Sequence, residues 1–252
     1  MRFTRREILA RSAKAASAAA LAGNATGLLA LAQQSSAQDK KLNVVITGGH
    51  PGDPECGCGG TIARYTAAGH EAVLLYLNRG EGYCGDSALK DCAAIRTKEA
   101  EKACAILKAR PVFAGQYDGR AIVDPAHYEE FSALLLEQQP DLVFTHWPID
   151  AHRDHRAISA LVLDAWLSSK KRFALYYYEV AEDTQAFTQT DFVDTSDQAV
   201  RHREACFAHA SQQPEKWFPL QEEIVKYHGL QNGCGRAEAF YRVSSPSLFT
   251  LL

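Results

Sequence analysis

The sequence predicts a single α/β domain with a mostly parallel sheet covered by helices on both faces. Short apolar, β-branched segments alternate with longer helical ones, which is the pattern of parallel strands joined by helical crossovers. The chain has 252 residues, 46% of them hydrophobic and 23% charged, which is enough for one large core. No repeat or Pro- or Ser-rich linker divides residues 38–252, so we predict one domain there.

Each element follows from its local pattern. Gly48 and Gly49 close the first β-branched run, Gly69 stops the first helix, and Pro140 precedes a later strand. The predicted strands are 42–47, 72–77, 111–114, 142–146 and 174–178. The predicted helices are 61–68, 95–108, 128–137 and 157–168. This order predicts a Rossmann-like sheet.

Residues 1–37 have the composition of an export signal. Five basic residues precede or open an alanine-rich apolar run, and Arg5-Arg6 before Ile8-Leu9 resembles a twin-arginine signal. A membrane anchor is the alternative, but Gly23, Asn24 and Gly27 interrupt the run before it reaches the roughly 20 apolar residues of a membrane span. We therefore expect an exported, periplasmic or extracellular protein with no membrane span in the mature chain.

Charge and cysteine content restrict the partners. The formal net charge is −3, and without the five basic residues and one acid of residues 1–37 the counts become 22 and 29, a net charge of −7. This acidity argues against nucleic acid as a partner. Export allows disulfides among the seven cysteines. The first pair to test is Cys84 with Cys92, because both lie in one polar loop. Cys104 and Cys206 fit buried helical positions.

Two predicted loops at strand ends carry the chemistry. His50 and Asp53 follow the first strand, whereas His146, His152 and His155 lie at the end of the fourth strand and the start of the next helix. Ligands of open parallel sheets bind at the carboxyl ends of the strands. A histidine and a carboxylate from one loop and a histidine from the other would provide three N/O ligands, as in catalytic zinc sites. Solvated or core histidines are the alternative.

Two other readings of the glycine-rich segment 57–60 are weaker. A dinucleotide fingerprint fails because the sixth position of GxGxxG is Ile62 and no acid ends the second strand. A structural zinc site on Cys56 and Cys58 would need a second such pair. Small residues that pack a helix against the sheet explain the segment better.

The two loops resemble the motifs of the PIG-L/LmbE family of zinc-dependent N-acetylglucosamine deacetylases. The family pattern HPDDE with a GCGGT-like turn corresponds to GHPGDPECGCGGT at 49–61, and HPDH corresponds to HRDH at 152–155. The resemblance extends through Arg79-Gly80-Glu81, Asp118 and 209–212 to 237–240, so it covers nearly the whole mature chain.

The resemblance implies a role for each matching residue. The metal ligands would be His50, Asp53 and His155, with zinc as the metal and iron as the alternative in the cell. His152 would protonate the leaving amine and help to stabilise the oxyanion, and Asp154 would orient a histidine. The implied reaction is hydrolysis of the N-acyl (acetyl) group of an amino sugar or related amide.

One departure from the family pattern affects catalysis directly. The family's general base, the first aspartate of HPDDE, is Gly52 here. Glu55 and Asp150 are candidate substitutes, against the alternatives of a helix N-terminal carboxylate for Glu55 and an N-cap or substrate contact for Asp150. Without a substitute, the chain would be a catalytically weak or inactive metal- and glycan-binding relative.

The remaining assignments concern the substrate. Arg79, Arg96 and Asp118 are expected near the mouth of the site, where they would bind sugar hydroxyls or form surface ion pairs. Trp147, like Tyr83 and Trp217, would stack on a sugar ring or pack in the core. The expected partner is a small amino sugar or glycan, and the sequence leaves a homo-oligomer open.

Overall fold

The structure is a computed structural model that describes residues 41–84, 90–170, 172–243 and 251–252. The predicted export signal, residues 1–37, lies outside the described residues. Among the helices of the described part, none is long and apolar enough to cross a bilayer.

Seven strands form one sheet in the order β3-β2-β1-β4-β5-β7-β6. The first five pair in parallel, and β7 pairs antiparallel with both β5 and β6. Their bounds are β1 Asn43–Gly48, β2 Glu71–Tyr76, β3 Arg110–Phe113, β4 Leu142–His146, β5 Ala174–Tyr178, β6 Asp191–Asp194 and β7 Ala237–Arg242. All five predicted strands are present, shifted by at most one residue, and the mostly parallel sheet is confirmed.

Six α-helices accompany the sheet in the described chain. They are α1 Asp53–Ala67, α2 Cys92–Leu107, α3 Pro125–Glu137, α4 Arg153–Ser168, α5 Ala199–Phe207 and α6 Pro214–Asn232. Two 3₁₀ turns flank α5, at Ser196–Gln198 and Ala210–Gln212. The second turn follows His209.

Side chains alternate between two cores on opposite faces of the sheet, as the pleat requires. In β1, Val44 and Ile46 belong to the cluster that packs against α1, α2 and α5. Val45 belongs to the other cluster, which packs against α3 and α4. Helices therefore cover both faces, as predicted.

Helix α1 begins eight residues earlier than predicted, so the glycine-rich segment lies inside it. Pro54 stands in the first turn, where its missing N–H costs nothing. A Cβ on Gly59 would lie 2.5 Å from the His202 ring, and one on Gly60 would lie 2.6 Å from Thr195. These glycines let α5 and the segment before it approach α1 closely, which confirms the packing interpretation.

Strand order explains why the two motif loops meet. The chain moves outward from β1 through β2 to β3, then returns to place β4 on the other side of β1. The carboxyl ends of β1 and β4 are therefore adjacent, at the position where open α/β sheets bind ligands.

A disulfide joins Cys84 to Cys92 with a Cα–Cα distance of 5.3 Å. The pair suggested by the sequence is confirmed. Cys104 and Cys206 are free and buried, as expected for small apolar side chains.

Candidate metal centre

One carboxylate oxygen lies at the centre of the site. Asp53 Oδ2 is 3.2 Å from His50 Nδ1 and 3.2 Å from His155 Nε2. Ligand atoms of a tetrahedral site with metal–ligand distances of 2.0–2.1 Å are about 3.3 Å apart, so both spacings match such a site. Two of the three pairs among the predicted ligands therefore have spacings compatible with a tetrahedral metal site.

His146, the last residue of β4, is the third imidazole beside Asp53 Oδ2. Its Nε2 lies 3.2 Å from Asp53 Oδ2 and accepts a hydrogen bond from the Gly49 backbone N–H at 3.2 Å. The His146 and His155 rings stack with centroids 3.9 Å apart. Sequence reasoning noted this histidine at the strand end but gave it no role.

The charges in this cluster are strongly coupled. Burial by itself raises the pKa of Asp53, but the charges of His155 and His50 hold it well below its usual range. Burial lowers the pKa of His155, yet the charge of Asp53 and hydrogen bonds with Asp150 and Asp53 raise it to about 9. Burial and the charge of His155 lower the pKa of His146 to about 4.

A second layer of carboxylates surrounds His50. Its Nε2 lies 3.1 Å from Asp118 Oδ1 and 3.2 Å from Asp154 Oδ2. Asn78 Nδ2 donates to the same Asp154 oxygen at 3.0 Å, as does the Gly119 N–H at 2.7 Å. Asp154 therefore orients a histidine, as the resemblance implied, and that histidine is His50.

Asp150 fixes the other histidine ligand. Its Oδ1 lies 3.1 Å from His155 Nδ1 and accepts the His152 N–H at 2.8 Å, and its Oδ2 accepts from Thr184 at 3.1 Å. Both oxygens are engaged and the residue is buried. The expectation that Asp150 replaces the missing base is corrected, because it holds His155 from behind.

Glu55 is also unavailable as a direct base. The residue is 0% exposed. Tyr76 donates to its Oε1 at 2.6 Å, the Gly52 N–H donates to its Oε2 at 3.1 Å, and His209 Nε2 lies 3.0 Å from Oε1. The bond to Gly52 matches the helix N-terminal alternative, and His209 is a contact the sequence did not reveal.

A cavity of about 620 Å³ opens above this cluster. His50, Asp53, His152 and His155 lie in its wall, as do Asp118 and Arg96. Tyr83 and Trp217 contribute aromatic surface, and Tyr83 is 61% exposed. A cavity of this size fits a small-molecule ligand.

Arg79 and Trp147 are not among the cavity-lining residues, which corrects both predictions. The Arg79 guanidinium lies 5.2 Å from the centre of the Phe113 ring, in a cation–π contact. Trp147 packs its ring against Phe187 and Tyr241 and donates its indole N–H to the Gln185 carbonyl at 3.1 Å. It is therefore a packed aromatic.

Arg96 links the motif loop to the cavity wall. It is buried, and it donates to the Pro51 carbonyl at 2.7 Å and to the Tyr83 carbonyl at 3.2 Å. Burial lowers its pKa, and the negative charges of Asp53 and Asp118 oppose that shift. Its contacts make it a positioning residue, although it also borders the cavity.

His152 caps the N-terminus of α4 with its Nδ1, which accepts the Asp154 N–H at 3.2 Å. Burial and the charges of His50 and His155 lower its pKa. A neutral ring whose Nδ1 is an acceptor carries its proton on Nε2. The structure therefore supports the oxyanion-donor part of its expected role better than protonation of the amine.

The donor set suits a divalent cation. Within the described residues, three sets of side chains that include His50 or His155 place their potential ligand atoms within 4.8 Å of one another. These sets are His50-His152-His155, Asp53-His146-His155 and His50-Asp118-Asp154. A fourth group joins Asp183 to Asp150 and His155, and sequence reasoning had no signal for Asp183. Imidazole and carboxylate together are typical ligands for zinc or iron.

Comparison with known proteins agrees with this geometry. Residues 45–166 match the PIG-L family model, described as GlcNAc-PI de-N-acetylase, and this span contains both motifs. A diacetylchitobiose deacetylase from Thermococcus kodakarensis is 28% identical in a 220-position alignment that covers 79% of this chain and 82% of that protein.

Solved structures share the fold. An N,N′-diacetylchitobiose deacetylase from Pyrococcus horikoshii superposes with a TM-score of 0.71 at 24% identity, covering 79% of this chain and 83% of that one. The 4-carboxy-2-hydroxymuconate hydratase GalB from Pseudomonas putida KT2440 gives 0.72 at 18% identity, covering 83% and 99%. One fold thus carries different reactions, and identities this low establish the fold alone. Residues 45–166, which carry both motifs, therefore match the PIG-L family, and the described chain has the fold of a solved diacetylchitobiose deacetylase.

Proposed function

We propose that this protein is a metal-dependent hydrolase that removes the N-acyl group, acetyl in particular, from an N-acetylglucosamine-type amino sugar. The observation that carries the proposal is the position of Asp53 Oδ2, 3.2 Å from both His50 Nδ1 and His155 Nε2 at the wall of an open cavity. The family match and the similarity to a diacetylchitobiose deacetylase support this substrate class.

His50, Asp53 and His155 would hold the metal, which we propose is zinc, with iron as the alternative in the cell. When bound, such an ion supplies Lewis acidity that polarises the amide carbonyl and makes water a better nucleophile at neutral pH. Asp154 and Asp150 orient the two histidine ligands and raise their basicity.

The residues of the chain would divide the remaining tasks. His152, with its Nδ1 engaged by the Asp154 N–H, presents Nε2–H as a donor to the oxygen that gains charge in the transition state. Asp118 borders the cavity and offers an acceptor for sugar hydroxyls. Tyr83 and Trp217 offer aromatic surface against which a sugar ring could lie.

Gly52 supports the competing function, a metal- and glycan-binding protein without turnover. Its backbone has φ +109°, a left-handed conformation that an aspartate adopts only with strain. The family's base is therefore absent, and the local backbone disfavours its return. Both functions predict a bound metal, so only turnover separates them.

We also propose that the protein is exported. The basic and alanine-rich residues 1–37 support this, as does the Cys84–Cys92 disulfide, because such bonds persist in oxidising compartments. The acidic mature chain is in keeping with a small-molecule partner, and we propose no nucleic-acid partner. A homo-oligomer stays open.

The test uses the purified full chain loaded with zinc and incubated with N,N′-diacetylchitobiose. We expect release of free amine and acetate, with His155→Ala as the matched inactive control. Metal content of both proteins is measured in the same samples. Amine release no faster than that of His155→Ala, in a wild type that holds zinc, would favour the binding protein and refute the hydrolase.

A further inference from the structure

The reaction proposed above needs a proton acceptor, and most carboxylates near the metal ligands are engaged; the exception is Asp183, which groups with Asp150 and His155 at the cavity wall and is compared in the kinetic experiment. Asp118 and Asp154 contact His50, and Asp150 contacts His155. Glu55 is enclosed by three hydrogen-bonding partners. The acceptor should instead be a cavity-lining group with a free lone pair.

His209 meets this requirement. Its Nε2 lies 3.0 Å from Glu55 Oε1. Its Nδ1 has no hydrogen-bond partner, although the side chain is 0% exposed. A buried, unsatisfied ring nitrogen is costly and calls for an explanation. The same residue forms part of the cavity wall.

The position of Gly52 links His209 to the missing base. A Cβ on Gly52 would lie 3.7 to 3.9 Å from the His209 ring, nearest to Cγ, Cδ2 and Nδ1. The ring therefore stands beside the place from which an aspartate at residue 52 would extend. Apart from residues 51 and 53, which adjoin Gly52 in the chain, no other side chain of the described residues comes nearer to that point.

We infer that His209, oriented by Glu55, is the proton acceptor that replaces the aspartate missing at Gly52. This inference rests on the proposed hydrolase function. Tyr76 and the Gly52 N–H hold the Glu55 carboxylate in place, and Glu55 keeps the His209 proton on Nε2. The Nδ1 lone pair is left for the substrate side.

The reaction balances with one transferred proton. A water oxygen bonds to the amide carbon, the carbonyl π pair moves onto the carbonyl oxygen, and one water proton moves to His209 Nδ1. The carbonyl then re-forms, the C–N bond breaks, and the same proton moves from Nδ1 to the amine nitrogen. The products are the carboxylic acid, which loses its proton to solvent, and the free amine.

The His209 side chain is 0% exposed although it belongs to the cavity wall, so no water has room to touch the ring in this conformation. Contact between Nδ1 and a water requires a small outward movement of the wall. Gly52 has no side chain to block it, and its hypothetical Cβ is at ordinary contact distance from the ring. A shift of the His209 Nδ1 signal on addition of N-acetylglucosamine would report this movement.

His202 provides a matched control. It is also a buried histidine on the same face of the sheet, and its ring packs against a glycine of α1, Gly59. Its Nδ1 has no hydrogen bond but lies 3.6 Å from Glu238 Oε1. Its Nε2 lies 3.1 Å from the Cys56 carbonyl, and it is not among the cavity-lining residues. Changes due only to loss of a buried histidine should appear in both variants.

The kinetic experiment compares His209→Gln, His202→Gln and Asp183→Asn in the zinc-loaded full chain with N,N′-diacetylchitobiose. We expect His209→Gln to lower kcat by about a hundred- to ten-thousand-fold with little change in KM or metal content. Imidazole should restore part of the activity of His209→Ala. Equal losses in His209→Gln and His202→Gln, or a large loss in Asp183→Asn alone, would overturn the inference.

A second readout does not depend on turnover. With ¹⁵N-labelled histidine in the metal-free chain, and the two glutamine variants used to assign signals, we expect His209 to be neutral with its proton on Nε2. N-acetylglucosamine should shift the His209 Nδ1 signal and leave that of His202 unchanged. An imidazolium, a proton on Nδ1, or no shift at His209 would refute the inference whether or not the wild type hydrolyses amides. A wild type that lacks turnover but shows the expected signals would refute only the hydrolase.

Discussion

The Cys84–Cys92 disulfide fixes the cavity wall to the metal-ligand loop. Tyr83, next to Cys84, lines the cavity, and its carbonyl accepts from Arg96 at 3.2 Å. Arg96 also donates to the Pro51 carbonyl at 2.7 Å, between His50 and Gly52. Replacing both cysteines by serine should therefore affect stability and substrate binding together.

The stability change follows from the length of the closed loop. The two cysteines are eight positions apart. The chain-entropy relation for a loop of that length gives about 2.5 kcal/mol of stabilisation at 25 °C. For a domain of this size, that free energy corresponds to a decrease of about 5 to 10 °C in Tm.

Urea unfolding of the double serine variant and the oxidised wild type measures this directly. Wild type treated with reductant should match the variant, and Cys234→Ser, which removes a free thiol, should leave stability unchanged. We also expect a higher KM at unchanged zinc content. The loop-entropy reasoning would be refuted if the free energy of unfolding of the double variant lay within about 0.5 kcal/mol of that of oxidised wild type. It would also be refuted if reductant still lowered the stability of the variant that lacks the two cysteines.

Three further predictions test other parts of the structure. Gly57→Ala should lower the free energy of unfolding by about 1 to 3 kcal/mol in urea titrations, because the new Cβ collides with the Tyr178 ring. This collision outweighs the roughly 1 kcal/mol that alanine gains in helix propensity. An unchanged or higher stability would contradict the packing interpretation. Burial lowers the pKa of His228, but the hydrogen bond with Glu179 raises this pKa overall. The stabilisation from this pair is therefore complete below about pH 6.5, the pKa of an unfolded histidine, and is lost as the pH rises through the pKa of the folded state. The stability advantage of wild type over His228→Gln should accordingly be larger at about pH 5.5 than at about pH 8.5, and the reverse order would exclude this pair as the cause. Zinc should raise the Tm of wild type but not that of His155→Ala, and equal shifts would place the binding site elsewhere.

Local patterns were sufficient to predict the strands, whereas the assignment of the metal ligands stays a prediction. The β-branched runs of β1 and β4 are buried on both sides, so their hydrophobicity marks them without tertiary information. His50 and Asp53 follow β1, and His155 lies in the first turn of α4, which follows β4, so all three lie at the edge where the carboxyl ends of the two strands meet. Their convergence follows from the order of elements, and the structure confirms it.

Distant contacts escaped sequence reasoning for a physical reason. Trp147 directly follows β4, close to the second motif in sequence, yet its ring packs against Phe187 and Tyr241. These two residues lie far along the chain and come near Trp147 only in the folded protein. Glu55 lies within the first motif, but its partner His209 is 154 positions away. The periodicity of the sequence cannot predict which side chains form a buried hydrogen bond when they are so far apart along the chain.

By itself the sequence determined the alternation of strands and helices, the family motifs, the metal-ligating residue types and the absence of an aspartate at residue 52. These are properties of local composition and spacing. Only the tertiary structure decided what each carboxylate does. Burial and hydrogen-bond geometry engage Asp150 and Glu55 and leave the Nδ1 lone pair of His209 free beside Gly52. Availability of a proton acceptor depends on the neighbours that surround it in space, and those neighbours come from every part of the chain.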